Sequence, residues 1–173
     1  MNYLYHKVPE DIKGNFLMPL NSLKKKYPSI YNKKVKKYEG RETLFNLKFP
    51  ILNCLWNDVI HLTTVDPKKL KKALMKAGSP KRKTSKWFKI DPRILNKSIT
   101  IVNLYKIRNL SNEKNYVSFQ IKDLNKYDKI SPRTKAYFRE EFSAGRKPML
   151  FHFIPHILYK GKINIKDCEI IKV

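Results

Sequence analysis

Acidic residues are scarce in this chain of 173 residues: 14 Asp plus Glu stand against 38 Lys plus Arg, giving a formal net charge of +24 and a pI near 10.0. The abundance of Lys, Asn, Ile, Tyr and Phe matches an A- and T-rich coding sequence, which accounts for part of the lysine but not for the missing acids. Self-repulsion on this scale opposes compaction and is most simply offset by a polyanion. Nucleic acid, as RNA or single-stranded DNA, is the expected partner. An acidic neutralising protein or antitoxin comes second, and a solvated basic surface with no special partner third.

Glycine and cysteine are scarce too. Five glycines form no Gly-rich loop and no backbone cradle for a dinucleotide, so side chains must meet any phosphate. Cys54 and Cys168 follow no metal-ligand spacing, which points to a reducing compartment and no metal. GxSxG, HExxH and CxxC are absent, as is any cluster of carboxylates. The opening "MNYLYHKVPE" lacks the apolar stretch of a signal peptide, and no apolar run approaches the roughly 18 residues of a membrane span. The expectation is a cytoplasmic protein with no membrane partner.

What remains is a foldable chain. Hydrophobic residues make up 42% and aromatics 12%, too many for disorder, and the length suits one domain over residues 1–173. "YLYHKV" (3–8) reads as an opening strand, and "PLNSLKKKYPSIYNKKVKKYEGRETLFNL" (19–47) as two or three short basic helices broken at Pro28 and Gly40. "DVIHLTTV" (58–65) reads as a strand feeding a helix with Asp66 as cap, Pro67 in the first turn and Gly78 at the stop. "WFKI", "ITIVNLYK" and "YVSFQ" read as strands, and "SPRTKAYFREEFSAG" as a helix. The tail from Lys147 reads as two or three strands joined at Pro155 and around Gly161 to Asp167. The expected class is α+β: a single compact domain of mostly antiparallel sheets with short basic helices.

The four histidines all fall on these expected strands, so a sheet can gather His6, His61 and His156 into one cleft. A neutral imidazole beside an imidazolium performs general base and general acid steps on an RNA 2′-hydroxyl without metal. Each is equally readable as a hydrogen-bonded strand residue. His156 follows Pro155, where a bend is expected. His152, alternating with Phe151 and Phe153, is expected to serve stability from the opposite face of its strand. Trp56 reads as core or as a face on which a base or a nicotinamide stacks. Asn57 and Asp58 read as turn formers, and Arg41 and Glu42 as a turn after Gly40 or as site residues. Lys33, Lys34, Lys36 and Lys37, with Lys81, Arg82 and Lys83, read as a surface that tracks a phosphate backbone.

The order of these elements, with "LYHKV", "VIHLTT" and "WFKIDPRIL", resembles the small ADP-ribosyltransferase fold, particularly the DNA-targeting ADP-ribosyltransferase toxins and the RNA 2′-phosphotransferases. The resemblance implies NAD in a cleft between two sheets, with His6 on its ribose, His61 and Thr63 lining the pocket from the second strand, and Trp56 and Arg41 as further cofactor contacts. It also implies a catalytic glutamate on a late strand, for which Glu169 is the nearest candidate, with His156 standing where an acid is first sought. The phosphotransferase branch relies on arginine and histidine instead. Three functions follow: an ADP-ribosyltransferase-like toxin acting on nucleic acid, a metal-independent ribonuclease toxin using His6, His61 or His156, and a non-catalytic nucleic-acid-binding protein.

Overall fold

The structure, a computed structural model, describes residues 2–80, 84–106 and 109–173, without the side chain of Lys37. Along them run β1 (Leu4–Lys7), β2 (Phe16–Leu17), α1 (Leu20–Lys26), α2 (Pro28–Val35), β3 (Lys48–Phe49), β4 (Cys54–Leu55), β5 (Ile60–Leu62) and α3 (Pro67–Lys76). They continue with β6 (Lys86–Ile90), β7 (Thr100–Asn103), β8 (Tyr116–Ser118), α4 (Pro132–Ser143), β9 (His156–Tyr159), β10 (Ile163–Asn164) and β11 (Glu169–Lys172).

Local chemistry explains the longer helices. Asp66 caps α3 by accepting from the Lys68 amide at 2.7 Å, Pro67 opens the first turn, and Leu70 and Leu74 lie one turn apart on the buried side. Ser131 caps α4 by accepting from the Thr134 amide at 3.1 Å, and Thr134, Phe138 and Glu141 share its inner face at helical spacing. Glu141 is thus a carboxylate on an otherwise inward stripe. Pro28 separates α1 from α2, as the loss of an amide hydrogen requires.

Every strand pairing is antiparallel. One sheet has the order β1-β6-β11 and a second the order β5-β9-β7-β8, with two small ribbons, β10-β2 and β3-β4. Leu4, Phe88 and Ile90 of the first sheet pack against Ile60, Leu62, Val102 and Ile157 of the second, so the main core lies between them. The outer face of the four-stranded sheet, through Ile101 and Leu158, is covered by Tyr38, Phe49 and Trp56. Being covered on both sides, β7 and β9 are buried at every position, which is why "TIVN" and "HILY" hold no charged residue. α3 and α4 pack Leu70, Leu74 and Phe138 against Trp87 of the three-stranded sheet. The fold is α+β, as its composition and periodicities lead one to expect.

The tail departs from expectation at one place. Residues 151–154 form a turn, so His152 lies on no strand. Phe153 takes a left-handed φ of 58°, and its carbonyl accepts from Thr134 Oγ1 of α4 at 3.1 Å. A bond to a distant helix overrides the alternation of "FHF" and turns His152 toward α4.

Candidate functional site

The two main sheets meet at a single bridge. Tyr5 N donates to Thr63 O at 2.8 Å and Thr63 N to Tyr5 O at 3.1 Å. From it β1 runs on through His6 and β5 runs back through His61, and a cleft of about 880 Å³ opens in this region. All four histidines of the chain line it. His6, His61 and His156 are brought together as expected, and His152 joins them from the turn after α4. The assignment of His152 to a face away from the site is therefore corrected.

The rings differ in surroundings. His61 Nε2 donates to the Trp56 carbonyl at 3.1 Å, which puts the proton of the neutral ring on that nitrogen. His156 is 4% exposed; burial, then the neighbouring His61 and His152 rings, hold its pKa well below the usual 6.5. Burial, with Arg133 and Arg41 nearby, lowers His152 to about 4. His152 and His156 are thus neutral at pH 7, suited to hydrogen bonding rather than to taking up or supplying a proton. His152 is enclosed by Tyr137 at 4.3 Å and Phe153 at 3.9 Å between ring centroids.

Trp56 is a core residue, as one of its two readings has it, and it also reaches the cleft. It is buried in the outer core, stacked on Phe49 at 5.4 Å, and its ring lies 4.6 Å from that of His61 while also lining the cleft. Its indole N–H bonds the Tyr38 hydroxyl. Asn57, beside it, is 2% exposed and lines the cleft, yet neither its Nδ2 nor its Oδ1 has a hydrogen-bond partner among the described residues. Asp58 fills the turn role, accepting from Leu55 N at 2.8 Å and from Asn21 Nδ2 at 2.8 Å. Thr63 is fully buried at the bridge, where its hydroxyl accepts from Val65 N at 3.1 Å. It joins the sheets and is not among the residues lining the cleft.

Glu169 stands apart. It lies opposite Lys89 in β6 and binds that ammonium at 2.7 Å with its side chain 58% exposed, outside the cleft lining. The cleft is instead lined by six cations, Lys7, Lys13, Lys34, Arg41, Arg146 and Lys147, against two carboxylates, Asp11 and Glu39. Glu141 lies behind Arg41 and Arg146; hydrogen bonds from Arg146, with the charge of Arg41 added, hold its carboxyl below the usual 4.5. Among the described residues no group of three or more His, Cys, Asp or Glu is placed to hold a metal ion, and no helix is long and apolar enough to cross a membrane.

Of the lysines expected to track a backbone, Lys33 and Lys36 are exposed. Lys34 is not on that solvated face: it pairs with Asp11 at 3.0 Å, 24% exposed, and lines the cleft. The Lys37 side chain and Lys81, Arg82 and Lys83 lie outside the described residues. Sequence reasoning missed Arg146 and Tyr105. Tyr105 lines the cleft at a left-handed φ of 51°, held by its amide bond to Asn103 Oδ1 at 2.9 Å. With Phe153, it puts two of the three described non-glycine residues of positive φ beside the histidines. No family model, curated protein or solved structure matches the chain.

Proposed function

We propose that the protein is an ADP-ribosyltransferase-like enzyme that binds NAD in this cleft and acts on nucleic acid. The observation that carries the reading is the convergence of every histidine of the chain, from β1, β5, the turn 151–154 and β9, on one cation-lined cleft beside the bridge that joins the two sheets. The cleft fits the cofactor: its volume of about 880 Å³ falls in the range of ligand sites, the cleft lysines Lys7 and Lys13 supply donors for a pyrophosphate, and Trp56 and Tyr105 supply flat apolar surface. NAD, when bound, supplies an electrophilic ribose carbon with nicotinamide as leaving group. In this reading His6 on β1 hydrogen-bonds a ribose hydroxyl and neutral, buried His156 orients a polar group at the cleft floor.

With Glu169 paired to Lys89 outside the cleft, the arginine- and histidine-based phosphotransferase branch is the better template. The charge of +24 supports a nucleic-acid substrate and, for a toxin of a defence or toxin and antitoxin system, an acidic protein that holds it in check. The metal-free ribonuclease reading needs an imidazolium partner, which His152 and His156 do not supply at pH 7.

The test is one set of incubations of the purified protein with RNA and with single-stranded DNA in EDTA, with and without NAD. Release of nicotinamide that requires nucleic acid is the expected result. RNA cleavage without NAD transfers the site to the ribonuclease reading, and tight binding with neither reaction leaves a binding protein.

A further inference from the structure

Arg41 and Arg146 reach the cleft by the same device. Each follows a glycine in the left-handed region, Gly40 at φ 73° and Gly145 at φ 69°. Each glycine comes just after a helical segment, the short 3-10 turn Lys36–Tyr38 or α4. The pair Gly-Arg accordingly recurs in "EGRE" and "AGRK". A left-handed residue after a helical turn reverses the chain, and here both reversals bring a guanidinium to one carboxylate. Arg146 places Nε 3.2 Å from each Glu141 oxygen and Nη2 2.7 Å from Oε1, while Arg41 Nη2 approaches Oε2 at 3.7 Å.

Glu141 is 8% exposed, a burial that an ionised carboxylate tolerates only when paired. One pairing would suffice. The loop after α4 is already closed by Arg146 with its amide bond to Glu141 O at 2.8 Å and by Met149 N bonding the Tyr137 hydroxyl at 3.0 Å. Arg41 comes from a distant segment and adds a second positive charge beside the first, leaving the trio at +1. A guanidinium carries five N–H donors, and these contacts use only some of them. The Arg146 side chain is 60% exposed and that of Arg41 32%, so the remaining donors face the solvent edge of the cleft, with Lys147 next in the chain.

We propose that Arg41 and Arg146 form a fork for one backbone phosphate of a nucleic-acid strand entering the cleft, and that Glu141 positions both. The inference rests on the nucleic-acid reading above and adds where the strand is gripped. The exposed setting suits a polymer that continues past the site, and two preset guanidiniums suit the tetrahedral oxygens of a phosphodiester.

The test measures binding of the full-length protein to a short labelled single-stranded RNA by fluorescence anisotropy, binding of NAD by calorimetry, and melting temperature. Arg41→Lys and Arg146→Lys keep the charge but lose the fork, and each is expected to weaken RNA binding at least about tenfold. Glu141→Gln gives opposite signs for rival accounts: it adds one unit of positive charge, so attraction alone tightens RNA binding, whereas loss of positioning weakens it. Weakening with NAD binding retained is the expected result, with Glu141→Asp restoring part of it. Arg41→Lys, outside the loop closure, is expected to melt as the wild type and keeps the proposal testable if Glu141→Gln fails to fold. Wild-type RNA affinity in a folded Arg41→Lys, or tighter binding in Glu141→Gln, overturns the fork. Loss of NAD binding with RNA binding unchanged overturns it in favour of a cofactor phosphate site. A wild-type protein that binds no RNA overturns the nucleic-acid reading itself.

Discussion

The rings of His61 and His156 stand edge to face, with centroids 5.6 Å apart and planes at 84°. Register explains the meeting: His61 lies opposite Leu158, so His156, two residues earlier on β9, is its diagonal neighbour on the same face. His6→Ala and His61→Ala, both half-buried positions, are expected to lower turnover by about two to four orders of magnitude with little change in melting temperature. His156→Ala is expected to lower both, because it empties a buried site. Full activity in all of these variants returns the histidines to the role of filler.

Acid should loosen the fold before it protonates most carboxylates. His152 titrates near 4 in the folded protein against the usual 6.5, and His156 is lowered as well. Between those values the unfolded chain binds more protons, so stability is fully present above about pH 6.5 and falls as pH drops toward 4. His152→Phe keeps an aromatic ring beside Tyr137 and removes one titration. It is expected to flatten the pH 6.5 to 4 stability profile by about 1–2 kcal/mol, allowing for solvent screening. Parallel profiles for variant and wild type would show that His152 titrates normally.

Asn57 carries a buried amide without a hydrogen-bond partner among the described residues, at the wall of the cleft. Asn57→Leu, which keeps the branching at Cγ and removes the amide, is expected to raise the melting temperature by about 2–4 °C while weakening NAD binding. A lower melting temperature with unchanged NAD binding would mean that an ordered water satisfies the amide and the residue serves the fold.

Lys33→Glu with Lys36→Glu should weaken RNA binding without loss of fold, since both side chains are exposed. If each lysine meets one phosphate, the salt slope of the binding constant flattens by about 0.7 per lysine. Lys34→Glu should also destabilise, because it sets a carboxylate against Asp11. Equal stability in the two variants would dismiss the Lys34–Asp11 pair as a surface contact of no weight.

Where the determinants are local, the sequence was readable. Asp66, Pro67 and Gly78 bracket α3, Ser131, Pro132 and Gly145 bracket α4, and short β-branched or aromatic runs mark β1, β5 and β6. The meeting of His6, His61 and His156 at one cleft was readable as far as their placement on strands reaches. His152 was misplaced because the deciding contacts, Thr134 to Phe153 O and Tyr137 against the ring, come from a helix some 15 to 20 residues away. Thr63 shares its strand's pattern with His61, but the bridge to Tyr5 that turns it inward depends on how two sheets meet. Arg146 was hidden as an ordinary helix exit, although its Gly-Arg match to Arg41 was in plain view.

Of the four α-helices among the described residues, α1 alone buries none of its residues fully, yet Leu20 and Leu23 wall the cleft and Asn21 ties the helix to Asp58. Local opening free energy follows buried contact, so the amide hydrogens of α1 exchange with solvent sooner than those of β7 or β9. α1 is thus the helix most easily detached from the body of the protein. An opening of α1 alone would widen the way to the histidines while both sheets remain intact, so access to them has a rate of its own, separate from that of global unfolding.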